Sequence, residues 1–195
     1  MTETRLRLLL ATRNAHKVRE FGVLLDGIDV VALPDAVEMP AETGTTFADN
    51  ALLKARAAAA ATGSMAIADD SGIEAAALGG RPGVRSARFA GENATAAENL
   101  ARLVGEAPPG SALAYVCVIA LIDPATGSER VFEGRCTGTM AAERRGSGGF
   151  GYDPVFVPDD DDAGRTMAEL SVGEKDAISH RGRAARALLA HLSAG

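Results

Sequence analysis

The stretch "AIADDSG", residues 66–72, sets two aspartates, Asp69 and Asp70, side by side after an apolar run. Adjacent carboxylates repel, and neither is easily buried without a partner. Successive strand residues point to opposite faces, so both acids meet one ligand only if the chain turns there. Ser71 and Gly72 are turn formers that permit this. Two carboxylates suit Mg²⁺, which prefers oxygen ligands and shares them with phosphate. The alternative is an Asx-type turn with one solvated acid.

Other residues could complete such a site. Asn50 and Lys54 are four apart on a helical pattern and share a face. A lysine there either holds phosphate as a point charge or snorkels to the surface. "ATRNAHK" (11–17) puts Thr12, Asn14 and Lys17 at a strand-to-helix turn. Helix N-termini attract phosphate, and they also need simple capping. "GFGYDP" (149–154) offers Phe150 between glycines, either a platform for a flat ring or a tight turn. In "SHRG" (179–182), His180 beside Arg181 supplies directed donors for a carbonyl, or a satisfied core or surface histidine.

The elements that must position these groups alternate between strand and helix. "LRLLLAT" (6–12) reads as a buried strand, 14–27 as a helix capped by Asn14, and 28–33 as a second strand. This βαβ opening favours an α/β fold. Residues 45–63 form an alanine-rich helix closed by Gly63, and 65–69 a short strand. Glycines and a proline mark 70–91 as irregular. Residues 93–106 pattern as an amphipathic helix with Leu100, Leu103 and Val104 on its apolar side. Residues 112–123 read as a central strand buried on both faces, and 128–140 as its half-exposed hairpin partner. A glycine-rich loop follows at 144–154, and one terminal helix spans 174–192. "DDDDAG" (159–164) reads as a solvated loop.

Composition narrows the classes. The 195 residues suffice for one core, and no repeat or linker divides them, so a single domain over 1–195 is expected. The formal net charge of −6 argues against a nonspecific nucleic-acid binder, yet leaves room for a nucleotide held by a few placed cations. Cys117 and Cys136 lie in strand-like contexts and read as reduced core residues. No run approaches a membrane span and no secretory segment precedes the first strand, so a cytoplasmic protein is expected.

The blocks "TRNAHK", "ETGTTFADNALLKA", "ADDSG", "LGGRPGVRSARFAG", "GGFGYDPVF" and "EKDAISHRG", in this order from residue 11 to 182, resemble the inosine/xanthosine triphosphate pyrophosphatase family. The resemblance implies an α/β fold: a long mixed β-sheet flanked by helices, with two lobes and an active-site cleft between them. It implies a homodimer that uses Mg²⁺ to hydrolyse non-standard purine nucleoside triphosphates (ITP, dITP, XTP) to monophosphate and pyrophosphate. By position, Thr12, Asn14 and Lys17 match the triphosphate-binding turn and Lys54 the phosphate-facing lysine. Glu42 and Asp69 match the metal positions, Asp70 the general base and Ser71 a substrate contact. Phe150, Gly151, Tyr152 and Asp153 match the base-stacking loop, and Lys175, His180 and Arg181 the base-recognition cluster.

The chain also departs from that pattern. Many relatives have a small residue where Arg13 stands; an arginine there either adds a phosphate contact, as a further substrate-binding residue, or points away. Paired acids often precede "TG", whereas here Ala41 precedes Glu42. Cys136 stands where a tryptophan is common, which bears on local packing. Two rival functions remain on residues alone: a metal-dependent phosphohydrolase of another ester, and a nucleotide sensor without turnover. The retained Asp70 disfavours the sensor, and the "FGYD" and "SHR" blocks disfavour a substrate without a base.

Overall fold

The structure, a computed structural model, describes residues 5–194. Six strands form one mixed sheet in the order β2-β1-β3-β4-β5-β6. β1 (Arg7–Leu10) pairs in parallel with β2 (Asp29–Ala32) and with β3 (Ala66–Ala75). β4 (Ala112–Asp123) and β5 (Ser128–Met140) follow, and β6 (Phe156–Pro158) closes the sheet antiparallel to β5. Among the described residues no helix is long and apolar enough to cross a membrane.

The chain forms two compact units. One comprises the residues up to Asp70, Val118–Glu133 and those from Ala184 onward. Its α1 (Ala15–Leu24) is capped by Asn14, whose side chain accepts from the His16 and Lys17 amides. Its α2 (Phe47–Thr62) opens with a reciprocal capping box between Thr46 and Asp49. The inward face of α2 is made of Ala51, Ala55, Ala58 and Ala59, with Asn50 and Lys54 buried among them. Alanine keeps that face shallow, so two long polar side chains fit where a leucine-rich helix would leave no room.

The other unit comprises Ser71–Cys117 and Gly134–Arg183. Its core gathers Ile73, Phe89, Leu103, Tyr115, Cys136 and Phe156 around α3 (Ala96–Glu106) and the strands. Both cysteines are buried thiols outside any disulfide, and burial pushes the Cys136 thiol up to about 12. The acidic run at 159–164 is bound at its surface, with Asp160 paired to Arg183 and Asp161 to Arg165.

Several expectations need correction. The chain does not turn at Ser71; β3 runs on through Ala75. The reason is packing on Gly72 and Ser86. The Ser86 hydroxyl accepts from the Ile73 amide at 2.8 Å and donates to the Gly83 carbonyl at 2.6 Å. A Cβ at position 72 would meet both the Ser86 hydroxyl and the Gly83 carbonyl, so glycine serves close approach and not a bend. The helix expected from 93 starts at Ala96, because Thr95 and Glu98 form a capping box; Val104 is exposed on it. The terminal helix is two helices, α4 (Val172–Ile178) and α5 (His180–Ser193). Ser179 separates them with extended backbone, and its hydroxyl accepts the Gly182 amide at 3.0 Å as an N-cap does. β6 was not foreseen; three residues are too few to show a period.

Gly72→Ala is expected to destabilise the fold by about 1–3 kcal/mol, the usual cost of overpacking. Urea denaturation of the variant against the parent measures it.

Candidate functional site

In the first unit two lysines meet the paired acids. Successive side chains leave an extended strand on opposite sides, yet the charges of both Asp69 and Asp70 act on Lys54, so the two acids serve one site without a turn, through different nearest partners. Asp69, 2 % exposed, pairs with Lys17 of α1 at 2.8 Å. Asp70, 6 % exposed, accepts from the Asn50 amide at 3.0 Å and lies 3.7 Å from the Lys54 ammonium. Lys54 also donates to Glu42 at 2.6 Å. Thus Lys17, Glu42, Lys54, Asp69 and Asp70 form a charged cluster in which three carboxylates face two lysines.

Burial acts on these charges in opposite ways. It works against the Lys54 ammonium, but Asp70, Asp69 and Glu42 outweigh it and hold the lysine's pKa above its ordinary value. Burial lifts the Asp70 pKa above the usual carboxylate range; Lys54 and Asn50 oppose this without cancelling it, and Glu42 adds to it.

The sequence places Asn50 on a face with Lys54 without giving it a role, and the structure supplies one. Its Oδ1 accepts the Gly44 amide at 2.8 Å, and a backbone N–H can only donate. The other end of the side chain is therefore its NH₂, which must find an acceptor in Asp70. A Cβ at position 44 would lie 2.6 Å from Asn50 Oδ1, so the glycine is needed for this contact. The spacing of Asn50 and Lys54 by four was the available signal; the partner at Gly44 was not visible.

At the end of β1, Thr12 Oγ1 accepts the Asn14 amide at 3.1 Å, and Asn14 Oδ1 accepts the His16 amide at 2.9 Å. These groups cap α1 in the structure. Arg13 takes the second of its two expected courses. Its guanidinium donates to the carbonyls of Leu33, Pro34, Asp35 and Val37 and pairs with the Asp35 carboxylate, so it fastens the loop after β2. A planar group with several donors suits that cluster of carbonyls.

The second unit carries the other group. Phe150 is 43 % exposed at a glycine-flanked turn, whereas Tyr152 is buried and donates to the Ser86 carbonyl at 2.7 Å. Asp153 is 3 % exposed; its Oδ2 accepts the Phe150 amide at 2.8 Å and Lys175 Nζ at 2.7 Å, and its Oδ1 accepts the Tyr115 hydroxyl at 3.0 Å. Within the loop, then, Phe150 is the accessible ring, Gly151 follows it in the turn, and Tyr152 and Asp153 are anchors. Lys175 Nζ lies 4.8 Å from the Phe150 ring centroid and the Arg181 guanidinium 5.9 Å. Arg181 also donates to Ser71 Oγ at 3.1 Å, and His180 stacks on Tyr115 at 4.7 Å. The break at Ser179 places His180 and Arg181 in the first turn of α5, and not inside a continuous helix.

Fold and clusters together define a mixed α/β protein with a buried carboxylate–lysine group in one unit and a cation-flanked aromatic turn in the other. The family model described as the Ham1 family matches residues 8–191, and the chain belongs to that family. A dITP/XTP pyrophosphatase of Symbiobacterium thermophilum is 50% identical over 193 residues, 96% of this chain and 95% of that one. One of Frankia alni is 49% identical over 196 residues, 94% and 95% of the two chains. The solved structure of a HAM1 protein from Coxiella burnetii superposes with a TM-score of 0.85 at 41% identity, covering 97% of this chain and 100% of that one.

Asn50→Ala removes the acceptor for Gly44 and a donor to Asp70. A loss of about 1–3 kcal/mol in stability is expected from the polar groups left behind, read from the urea midpoint.

Proposed function

We propose that this protein is a nucleoside-triphosphate pyrophosphatase that hydrolyses non-standard purine nucleoside triphosphates, ITP, dITP and XTP, to monophosphate and pyrophosphate. The observation that carries the reading is Asp70: a buried carboxylate whose neighbour Asn50 is oriented so that it must donate to it. Such a group is built as a proton acceptor. In this reading Asp70 takes the proton of the attacking water, and its raised pKa brings it nearer to the working pH of a general base. Membership of the Ham1 family and the names of the relatives support the same substrates.

The donor set fits Mg²⁺. Among the described residues no three acid, histidine or cysteine groups converge into a metal cage. That agrees with an ion held by one or two carboxylates and completed by phosphate oxygens and water. Glu42 and Asp69 would hold it, and its charge would offset that of the polyphosphate. Lys17 and Lys54 neutralise phosphate oxygens as charge develops, and Thr12 and Asn14 hold the α1 turn where the triphosphate is received.

The second unit's cluster suits the base. Phe150 stacks on a purine and contributes affinity to any of them. Lys175, Arg181 and a protonated His180 can donate but cannot accept. A 6-oxo group satisfies them; a 6-amino group leaves both sides unmet. Two such mismatches give roughly 30-fold to 10⁴-fold discrimination in kcat/KM. GTP shares the 6-oxo group, so its rejection requires a contact at its 2-amino group.

The test uses purified protein with and without Mg²⁺, presented with ITP, dITP, XTP, GTP and ATP, with phosphate and pyrophosphate release measured separately. Pyrophosphate from ITP and XTP, dependent on Mg²⁺, is expected; equal rates on ATP would replace this reading with a general phosphohydrolase. In the same assay Asp70→Asn should lower turnover roughly 10²–10⁴-fold while triphosphate binding persists. A homodimer belongs to this reading, and light scattering should give about twice the 20.0 kDa chain mass.

A further inference from the structure

β4 is apolar along nearly its whole length, and Tyr115 is the one hydroxyl-bearing side chain in its buried run. Tyr115 is 7 % exposed, with its ring 4.5 Å from that of Phe156 in the core. A phenol at such a place needs a partner for its hydroxyl, and a leucine or phenylalanine would fill the core as well. The hydroxyl donates to Asp153 Oδ1 at 3.0 Å. The other oxygen of that carboxylate accepts both Lys175 Nζ and the Phe150 amide. With donors at both oxygens, the carboxylate plane cannot rotate without breaking a bond on each side. The Tyr115 ring also stacks on His180, at 4.7 Å and an interplanar angle of 11°.

We propose that Tyr115 is a positioning residue for base recognition: its hydroxyl fixes the Asp153 carboxylate, which aims Lys175 and holds the Phe150 turn, while its ring sets the plane of His180. It touches no substrate and acts through these residues. Burial, and then the nearby Asp153 charge, push the phenol pKa well above its ordinary value, so the hydroxyl remains a donor at any working pH. The inference rests on the reading that Phe150, Lys175 and His180 receive the purine.

Tyr115→Phe keeps the ring and its packing and deletes only the hydroxyl. A hydrogen bond to a charged acceptor is worth enough to move affinity roughly tenfold. The expected result is a KM for ITP and XTP raised about tenfold at kcat within about twofold of the parent. ATP hydrolysis gains nothing from an aimed donor set and feels only the loosened Phe150 turn, so its kcat/KM should fall less than that of ITP and the ITP/ATP ratio narrows. Unchanged KM and ratio would overturn the proposal. So would an equal fall in kcat on every nucleotide at constant KM, the mark of a purely structural hydroxyl. A second measurement needs no nucleotide: hydrogen exchange of the Phe150 amide, which should quicken in Tyr115→Phe as its acceptor loosens. If the parent protein does not cleave ITP, the function reading falls and the exchange experiment decides alone. Faster exchange at Phe150 then supports the positioning role, and an unchanged rate removes it.

Discussion

Two adjacent carboxylates buried on one strand are the constraint around which the first unit is arranged. Asp69 and Asp70 are nearly inaccessible, and an ionised carboxylate away from water must be compensated or it neutralises itself. The fold brings one lysine to each: Lys17 from the first turn of α1 and Lys54 from the second turn of α2. Each helix start must therefore be held in place. Asn14 fixes the first, and the Thr46–Asp49 capping box fixes the second. The alanine face of α2 then has a purpose beyond packing, since it lets Lys54 and Asn50 reach Asp70 inside the core.

The same logic explains why β3 stays straight. A turn at Ser71 would have let both acids reach one point, as their adjacency suggested. The straight strand instead gives the acids different nearest partners, Lys17 for Asp69 and Asn50 with the shared Lys54 for Asp70, and Gly72 is pressed against Ser86 and Gly83 to hold the extended course. Asp69 and Asp70 can then differ in role, because their surroundings differ: one is ion-paired, the other set between a fixed amide and a shared lysine.

Much of this was legible in the sequence and some was not, for identifiable reasons. The strands at 112–123 and 128–140 match to the residue, because the first is a long continuous apolar run and the second is long enough to show its alternation. Asn14 as a cap, and Asn50 with Lys54 on one face, followed from local rules of spacing. The straightness of β3 did not, because it depends on Ser86, fourteen positions from Gly72, and glycine reads locally as a turn. The break at Ser179 was hidden by helix-forming residues on both sides; it is serine's hydroxyl, capping α5, that ends one helix and begins the next. For Arg13 the sequence leaves a phosphate contact and pointing away both open, and the carbonyls gathered after β2, 21 and 24 residues on, are partners that local spacing does not reveal.

Charge also bears on how a polyanion could approach the first unit. Three carboxylates and two lysines lie together there, in surroundings where burial weakens the screening that water supplies. Lys17 and Lys54 are moreover already engaged by acids, so their attraction for phosphate is partly satisfied before any ligand arrives. In the proposed function a divalent cation would offset the carboxylates and leave each lysine available to phosphate oxygens. The acids hold the lysines in place without ligand, and on the proposed function they would favour a polyphosphate that comes with a hard cation over one that does not.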